Sequence, residues 1–195
     1  ISIKRFTKVN FENGKVAQVA CGWAHALLLT DSGNIFVSGD GRKGQLGLGN
    51  ELESSNKFIE ITEIKEKVVQ ISCGLWSSFA LLESGKIMFW GQFRGLNCEQ
   101  ISRPALLKVI PEGYRVKKMA VGHKHLLVMT SEGNVFGFGC NKYGQIDVGS
   151  LQDEVCDIHA GWNHSVLQMK SNELILFGKN DHNQLAHPDP KARRN

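Results

Sequence analysis

The chain has 195 residues, 42% of them hydrophobic and 22% charged, which excludes a disordered chain and gives enough length for a sizeable core. Its net charge of +4 is spread over short pairs such as Lys4-Arg5 and Lys117-Lys118, so nucleic acid is disfavoured as a partner. No apolar run reaches the length of a membrane span, and Gly (21) far outnumbers Pro (4), which suits short strands joined by tight turns.

The first unit, read in chain order, predicts strands at about 6–9, 16–21, 25–30 and 34–39. The run Ala26-Leu27-Leu28-Leu29 is apolar at successive positions, so that strand is buried on both faces. Between two apolar runs stands Thr30-Asp31-Ser32-Gly33-Asn34, where a hairpin needs one residue at positive φ.

The same order then recurs. Gly22, Gly74, Gly122 and Gly161 are followed 17 residues later by Gly39, Gly91, Gly139 and Gly178. Six residues before each stands Val16, Val68, Val116 or Val155, and three before stands Val19, Ile71, Met119 or Ile158. The hairpin position holds Gly33, Gly85, Gly133 and then Asn172, the next residue to tolerate positive φ. The units are spaced 52, 48 and 39 residues apart, which predicts the four-stranded blades of a β-propeller in one segment over 1–195, with units at about 6–47, 58–97, 105–147 and 151–186. Only 16 residues separate Gly139 from Val155, against 29 from Gly39 to Val68, so the fourth unit is expected to have a shortened or missing outer strand.

Val19-Ala20-Cys21-Gly22-Trp23-Ala24-His25-Ala26-Leu27-Leu28-Leu29 resembles the signature of regulator of chromosome condensation repeats, and Gly39-Asp40-Gly41-Arg42-Lys43-Gly44-Gln45-Leu46-Gly47 resembles their Gly-Gln-Leu-Gly element. The third and fourth units repeat both parts, with His125, Gln145, His164 and Gln184 in place. In the second unit Ser77 replaces the His, and Gln92-Phe93-Arg94-Gly95-Leu96-Asn97 breaks the turn element. The resemblance covers about 6–186 and implies an all-β propeller with about four blades, a partial ring of a seven-blade architecture. The order of intact and degraded units resembles the secretion-regulating guanine nucleotide exchange factor group within that family. The chain opens on Ile1 without an initiator Met, so a fragment or processed chain is expected, with self-association if it is a fragment.

His25, His125 and His164 recur at one repeat position, one per blade. Metal ligands must converge, whereas equivalent residues of neighbouring blades need not, so these are read as buried, hydrogen-bonded structural residues. The adjacent His123-Lys124-His125 has no carboxylate or Cys at ligand spacing, and neither metal nor cofactor is expected. Gln45, Gln145 and Gln184 are read as turn-locking amides. Gly41-Arg42-Lys43-Gly44 lacks the spacing of a phosphate loop, and no nucleophile motif occurs, so no catalytic residue is assigned. Cys21 and Cys73 occupy equivalent strand positions and are read as reduced core residues of an intracellular protein.

The residues after each leading Gly vary from unit to unit: Trp23-Ala24, Leu75-Trp76, His123-Lys124 and Trp162-Asn163. Repeat symmetry places them on one rim. Trp23, Trp76, His123, Lys124, Trp162 and Asn163 are therefore the candidate partner-binding residues, although Trp also packs blades. The family resemblance implies a protein partner, specifically a small GTPase, and a cytoplasmic or nuclear location. An exchange factor needs a shaped surface and no covalent chemistry, and the divergent stretch 92–111 is the candidate contact element. The competing reading is a non-catalytic scaffold in a protein complex or membrane traffic.

Overall fold

In a computed structural model, which describes residues 8–96, 99–151 and 153–186, the chain is all β. The first sheet contains β1 (Val16–Cys21), β2 (His25–Thr30), β3 (Ile35–Asp40) and β4 (Ser54–Glu60), and the second β5 (Val68–Cys73), β6 (Trp76–Leu82), β7 (Ile87–Gln92) and β8 (Ile101–Leu106). The third is β9 (Val116–Val121), β10 (His125–Thr130) and β11 (Val135–Gly139); the fourth is β12 (Val155–Ala160), β13 (His164–Met169) and β14 (Leu174–Gly178). Each is an antiparallel meander in chain order, and β1, β5, β9 and β12 line up as inner strands, each touching the next. The architecture is a partial propeller of four blades.

The outer strand follows the third strand of its sheet, as β4 and β8 do. Of the expected strand at 6–9, only Lys8 and Val9 lie within the described residues, and neither is in a strand; the remainder lies outside them. The short connection between Gly139 and Val155 therefore leaves the third sheet without an outer strand, and the fourth sheet, for which the spacing suggested that loss, also has three strands among the described residues. Residues 187–195, which follow β14 and its turn, lie outside the described residues.

Three apolar cores lie one between each pair of neighbouring sheets, so middle strands such as β10 are buried along their whole length. The paired apolar positions on each inner strand are three residues apart, which on a regular strand would put them on opposite faces. A bulge resolves this: the register of β5 with β6 shifts between Val68 and Gln70, and β1, β9 and β12 shift at the same place. Val68 and Ile71 consequently enter the same core, as do Val116 with Met119 and Val155 with Ile158. In the first sheet, which has no preceding sheet among the described residues, Val19 is 55% exposed where Ile71 is 1%. The hairpin turns hold Gly33, Gly85 and Gly133 at φ of 90°, 85° and 85°, and Asn172 at 70°.

One expectation from sequence needs correction. Cys21 is exposed at the mouth of a central cleft, whereas the equivalent Cys73 is half-buried and packs against the first core while also lining that cleft. Both are free thiols, and burial pushes the Cys73 thiol above its usual range. Within the stretch 92–111, Ile101–Leu106 form the outer strand β8, and Phe93 and Leu107 are buried in the second core. Pro104 is tolerated there because β8 pairs with β7 alone. Asn97 lies outside the described residues.

Candidate functional site

Between the leading Gly and the recurring His, each blade turns tightly from inner to second strand. The Gly22 amide donates to the His25 carbonyl at 2.9 Å, and Gly74, Gly122 and Gly161 repeat the bond to Ser77, His125 and His164. A Cβ on Gly22 would lie 2.1 Å from the His25 ring and 2.8 Å from the Gly74 carbonyl oxygen. Only Gly permits the imidazole and the next blade to close over this turn. The four later glycines Gly39, Gly91, Gly139 and Gly178 all sit at positive φ, each with its would-be Cβ against the backbone of the turn beside it.

His25 and His125 are buried, and each reaches into the next blade. His25 Nε2 lies 3.0 Å from Ser78 Oγ, and His125 Nε2 lies 3.1 Å from Ser165 Oγ. Each serine has one hydroxyl proton, which it donates to the carbonyl of Gln45 at 2.8 Å or of Gln145 at 2.7 Å. The serine oxygen must then accept from the imidazole, so both rings carry a proton on Nε2. Burial, the larger influence on both rings, pushes their pKa values down to about 4, in keeping with Nδ1 atoms that are buried without partners. His164 occupies the same position in the fourth blade and is half-buried.

The Gln side chains close their own turns: Gln45 Oε1 accepts from the Lys43 amide at 2.8 Å, Gln145 Oε1 from Tyr143 at 2.9 Å and Gln184 Oε1 from His182 at 2.9 Å. The Gln45 carbonyl also accepts from Trp90 Nε1 at 3.0 Å, which makes Trp90 the one Trp fully committed to blade packing. One set of contacts escaped the sequence reading. Gln18 and Gln70 each use both ends of the amide to bind the backbone of the next inner strand, at Ile71 and Met119. The equivalent Lys118 pairs instead with Asp157 of the fourth blade. The signal was present, since this position is polar in every unit: Gln18, Gln70, Lys118 and Asp157.

The candidate rim residues separate into two groups. Trp23, His123 and Trp162 gather around a cleft of about 380 Å³ where the four inner turns converge, together with Leu75 and the strand-end cysteines Cys21 and Cys73. The Trp23 and Trp162 rings meet edge to face at 6.2 Å, and His123 lies 4.4 Å from the Trp162 ring. Trp23 and Trp162 remain 68% and 53% exposed, an unusual placement for two indoles unless they have a partner. Trp76, Lys124 and Asn163 stand beside this cleft and do not line it. Trp76 is half-buried, with the Arg94 guanidinium 4.9 Å above its ring. The Lys124 and Asn163 carbonyls accept from the Cys140 and Lys179 amides, which ties the rim to the turns after β11 and β14.

Among the described residues, no three His, Cys, Asp or Glu side chains come together in a metal-binding group, and no helix is long and apolar enough to cross a membrane. The arrangement offers binding surface: exposed aromatic rings, a cleft and adjacent cations.

Comparison with known proteins gives a consistent picture. The family described as "Regulator of chromosome condensation (RCC1) repeat" matches residues 16–45 and 116–145 in one form and 32–81 in another. The ultraviolet-B receptor UVR8 of Arabidopsis thaliana is 25% identical over 193 residues, 90% of this chain and 44% of the receptor. The human regulator of chromosome condensation is 31% identical over 136 residues, 67% of this chain and 32% of that protein. The chain thus spans less than half the length of these relatives. Among solved structures, Prp20p of Saccharomyces cerevisiae, described with its binding to Gsp1p and histones, superposes with a TM-score of 0.76 at 23% identity, over 87% of this chain and 46% of Prp20p. Human WBSCR16 gives 0.73 at 26% identity, over 84% and 47%.

Proposed function

This chain belongs to the family of regulator of chromosome condensation repeats, and from that premise we propose that it is a protein-interaction propeller that regulates a small GTPase, acting as a guanine nucleotide exchange factor. The observation that carries the reading is the cluster of Trp23, His123 and Trp162 on the inner rim, in which both indoles are exposed and the imidazole is half-buried against Trp162. An exchange factor works by binding the nucleotide-free GTPase better than the loaded one, which requires a complementary surface and no nucleophile. Its compartment would be the nucleus or cytoplasm, and the exposed Val16 and Val19 face of the first sheet would favour self-association of the isolated chain.

The test is release of fluorescent GDP from a panel of purified small GTPases in the presence of the full chain. Acceleration for one GTPase is expected, and it should be lost in Trp23→Ala and Trp162→Ala at an unchanged melting temperature. One observation favours a second reading, a non-catalytic scaffold: within the stretch 92–111, Ile101–Leu106 form an outer strand and Phe93 and Leu107 are buried in the second core. Stable capture of a GTPase without accelerated release would replace the first reading by the second.

A further inference from the structure

Taking the rim as the protein-binding surface, as the reading above does, we propose that the cleft between Trp23, His123 and Trp162 receives one bulky apolar side chain from an acidic segment of the partner protein.

The shape argues for the side chain. The cleft of about 380 Å³ opens where the blades converge, and its walls are indole, imidazole and the aliphatic side chain of Leu75. Two exposed tryptophans in mutual contact at such a mouth have the composition of an interface hot spot, in which a partner side chain displaces water from large apolar surfaces.

The charge argues for the flanks. No acidic residue lines the cleft. Burial depresses the proton affinity of His123 most, and the charged side chains that add to it are Lys124 and Arg94. Arg94 is held in place over Trp76, and the pair sets a positive edge beside the opening. Carboxylates on either side of the inserted residue would meet that edge at short range.

The ring geometry argues against a nucleic acid strand, which also favours aromatics with cations. A base needs an open flat face on which to stack. Here one face of Trp162 is covered by His123 at 4.4 Å, and Trp23 meets Trp162 at 75°.

The probes are three capped pentapeptides, Glu-Asp-Phe-Asp-Glu, Glu-Asp-Ala-Asp-Glu and Lys-Arg-Phe-Arg-Lys, with an oligothymidylate as a fourth. Binding to the full chain is followed by tryptophan fluorescence and by anisotropy of labelled probes. The Phe-containing acidic peptide should bind saturably, about tenfold tighter than its Ala counterpart. Reversing both cations, Arg94→Glu with Lys124→Glu, should transfer preference to the basic peptide; both side chains stand outside the sheet cores, and thermal melts verify the fold of the variant. Trp162→Ala should erase the distinction between Phe and Ala peptides. Equal affinity for those two peptides, indifference to charge reversal, absence of saturable binding or tighter binding of the oligothymidylate would each overturn the proposal. The peptide preference is read without any GTPase. A chain that shows it but releases no nucleotide refutes the exchange-factor reading alone, and one that accelerates release without it refutes this inference alone.

Discussion

Between the first and second sheets, His25 donates to Ser78, and Ser78 passes its own proton to the Gln45 carbonyl. Between the second and third sheets the same two positions hold Ser77 and Leu126, so that relay cannot form. Ser77 is buried with its hydroxyl unpartnered. Phenylalanine takes over the junction: Phe79 stacks on Phe89 at 6.0 Å and meets Phe93 edge to face at 5.2 Å, in a core that also takes in Leu126. Phe93 occupies the very segment in which the second unit loses its Gly-Gln turn. The Ser in place of His, the Leu in place of Ser one blade on and the broken turn thus meet at one junction, which is apolar where its neighbours are polar. The third and fourth sheets return to the polar form through His125, Ser165 and Gln145.

The largest test of this contrast is Phe79→Ala, which opens a cavity in the apolar junction with no polar contact to share the load. It should cost about 3–5 kcal/mol in chemical denaturation. A loss no greater than that of a surface substitution would break the comparison.

His25→Ala acts on the polar junction and should cost about 1–3 kcal/mol, since the imidazole's bond to buried Ser78 is lost. Here pH adds a signature that Phe79 cannot show. The pKa values of His25 and His125 fall from 6.5 in the unfolded chain to about 4 in the fold, so the unfolded chain binds these protons first. Their contribution is complete above pH 6.5, declines as pH falls through the window to about 4 and is gone below it, amounting to up to about 3 kcal/mol for each ring. Urea melts across that window should show a shallower decline in His25→Ala than in the unaltered chain. Parallel curves would show that the ring is not held neutral.

The smallest effect sharpens the comparison from the other side. Ser77→Ala removes a buried hydroxyl that has no partner and should leave stability unchanged or raise it by about 1 kcal/mol. Ser78→Ala, one residue on, removes both links of the relay and should destabilise. If the two substitutions prove alike, the junctions do not differ in the way their chemistry indicates.

Much of this architecture was legible in the repeat register, because glycine obeys backbone geometry that the chain states locally. The four hairpin positions, Asn172 included, all lie at positive φ. What was not legible depended on contacts between blades. Gln18 and Gln70 looked like ordinary polar strand residues, yet they bind backbone about fifty positions away. The bulge that aims Val68 and Ile71 into one core breaks the two-residue period on which strand reading relies. The spacing assigned a missing outer strand to the fourth blade, which has three strands among the described residues, but not to the third, which also has three, because sequence spacing does not say which sheet a strand joins. At the rim, symmetry alone assembled six candidates; only side-chain packing distinguishes Trp23, His123 and Trp162 from Trp76, Lys124 and Asn163.

The Gln45 carbonyl has one more consequence. It accepts from Ser78 and from Trp90, both in the second sheet, although Gln45 lies in the connection between β3 and β4 of the first. The turn is covalently part of one blade and fastened to its neighbour, like a roof tile nailed through the one below. Local opening should therefore not divide the molecule at the boundaries between sheets. The amides of Gly44 and Gly47, bonded within that turn, would exchange their hydrogens on the timescale of the second sheet, and the first could fray while its own turn stayed closed.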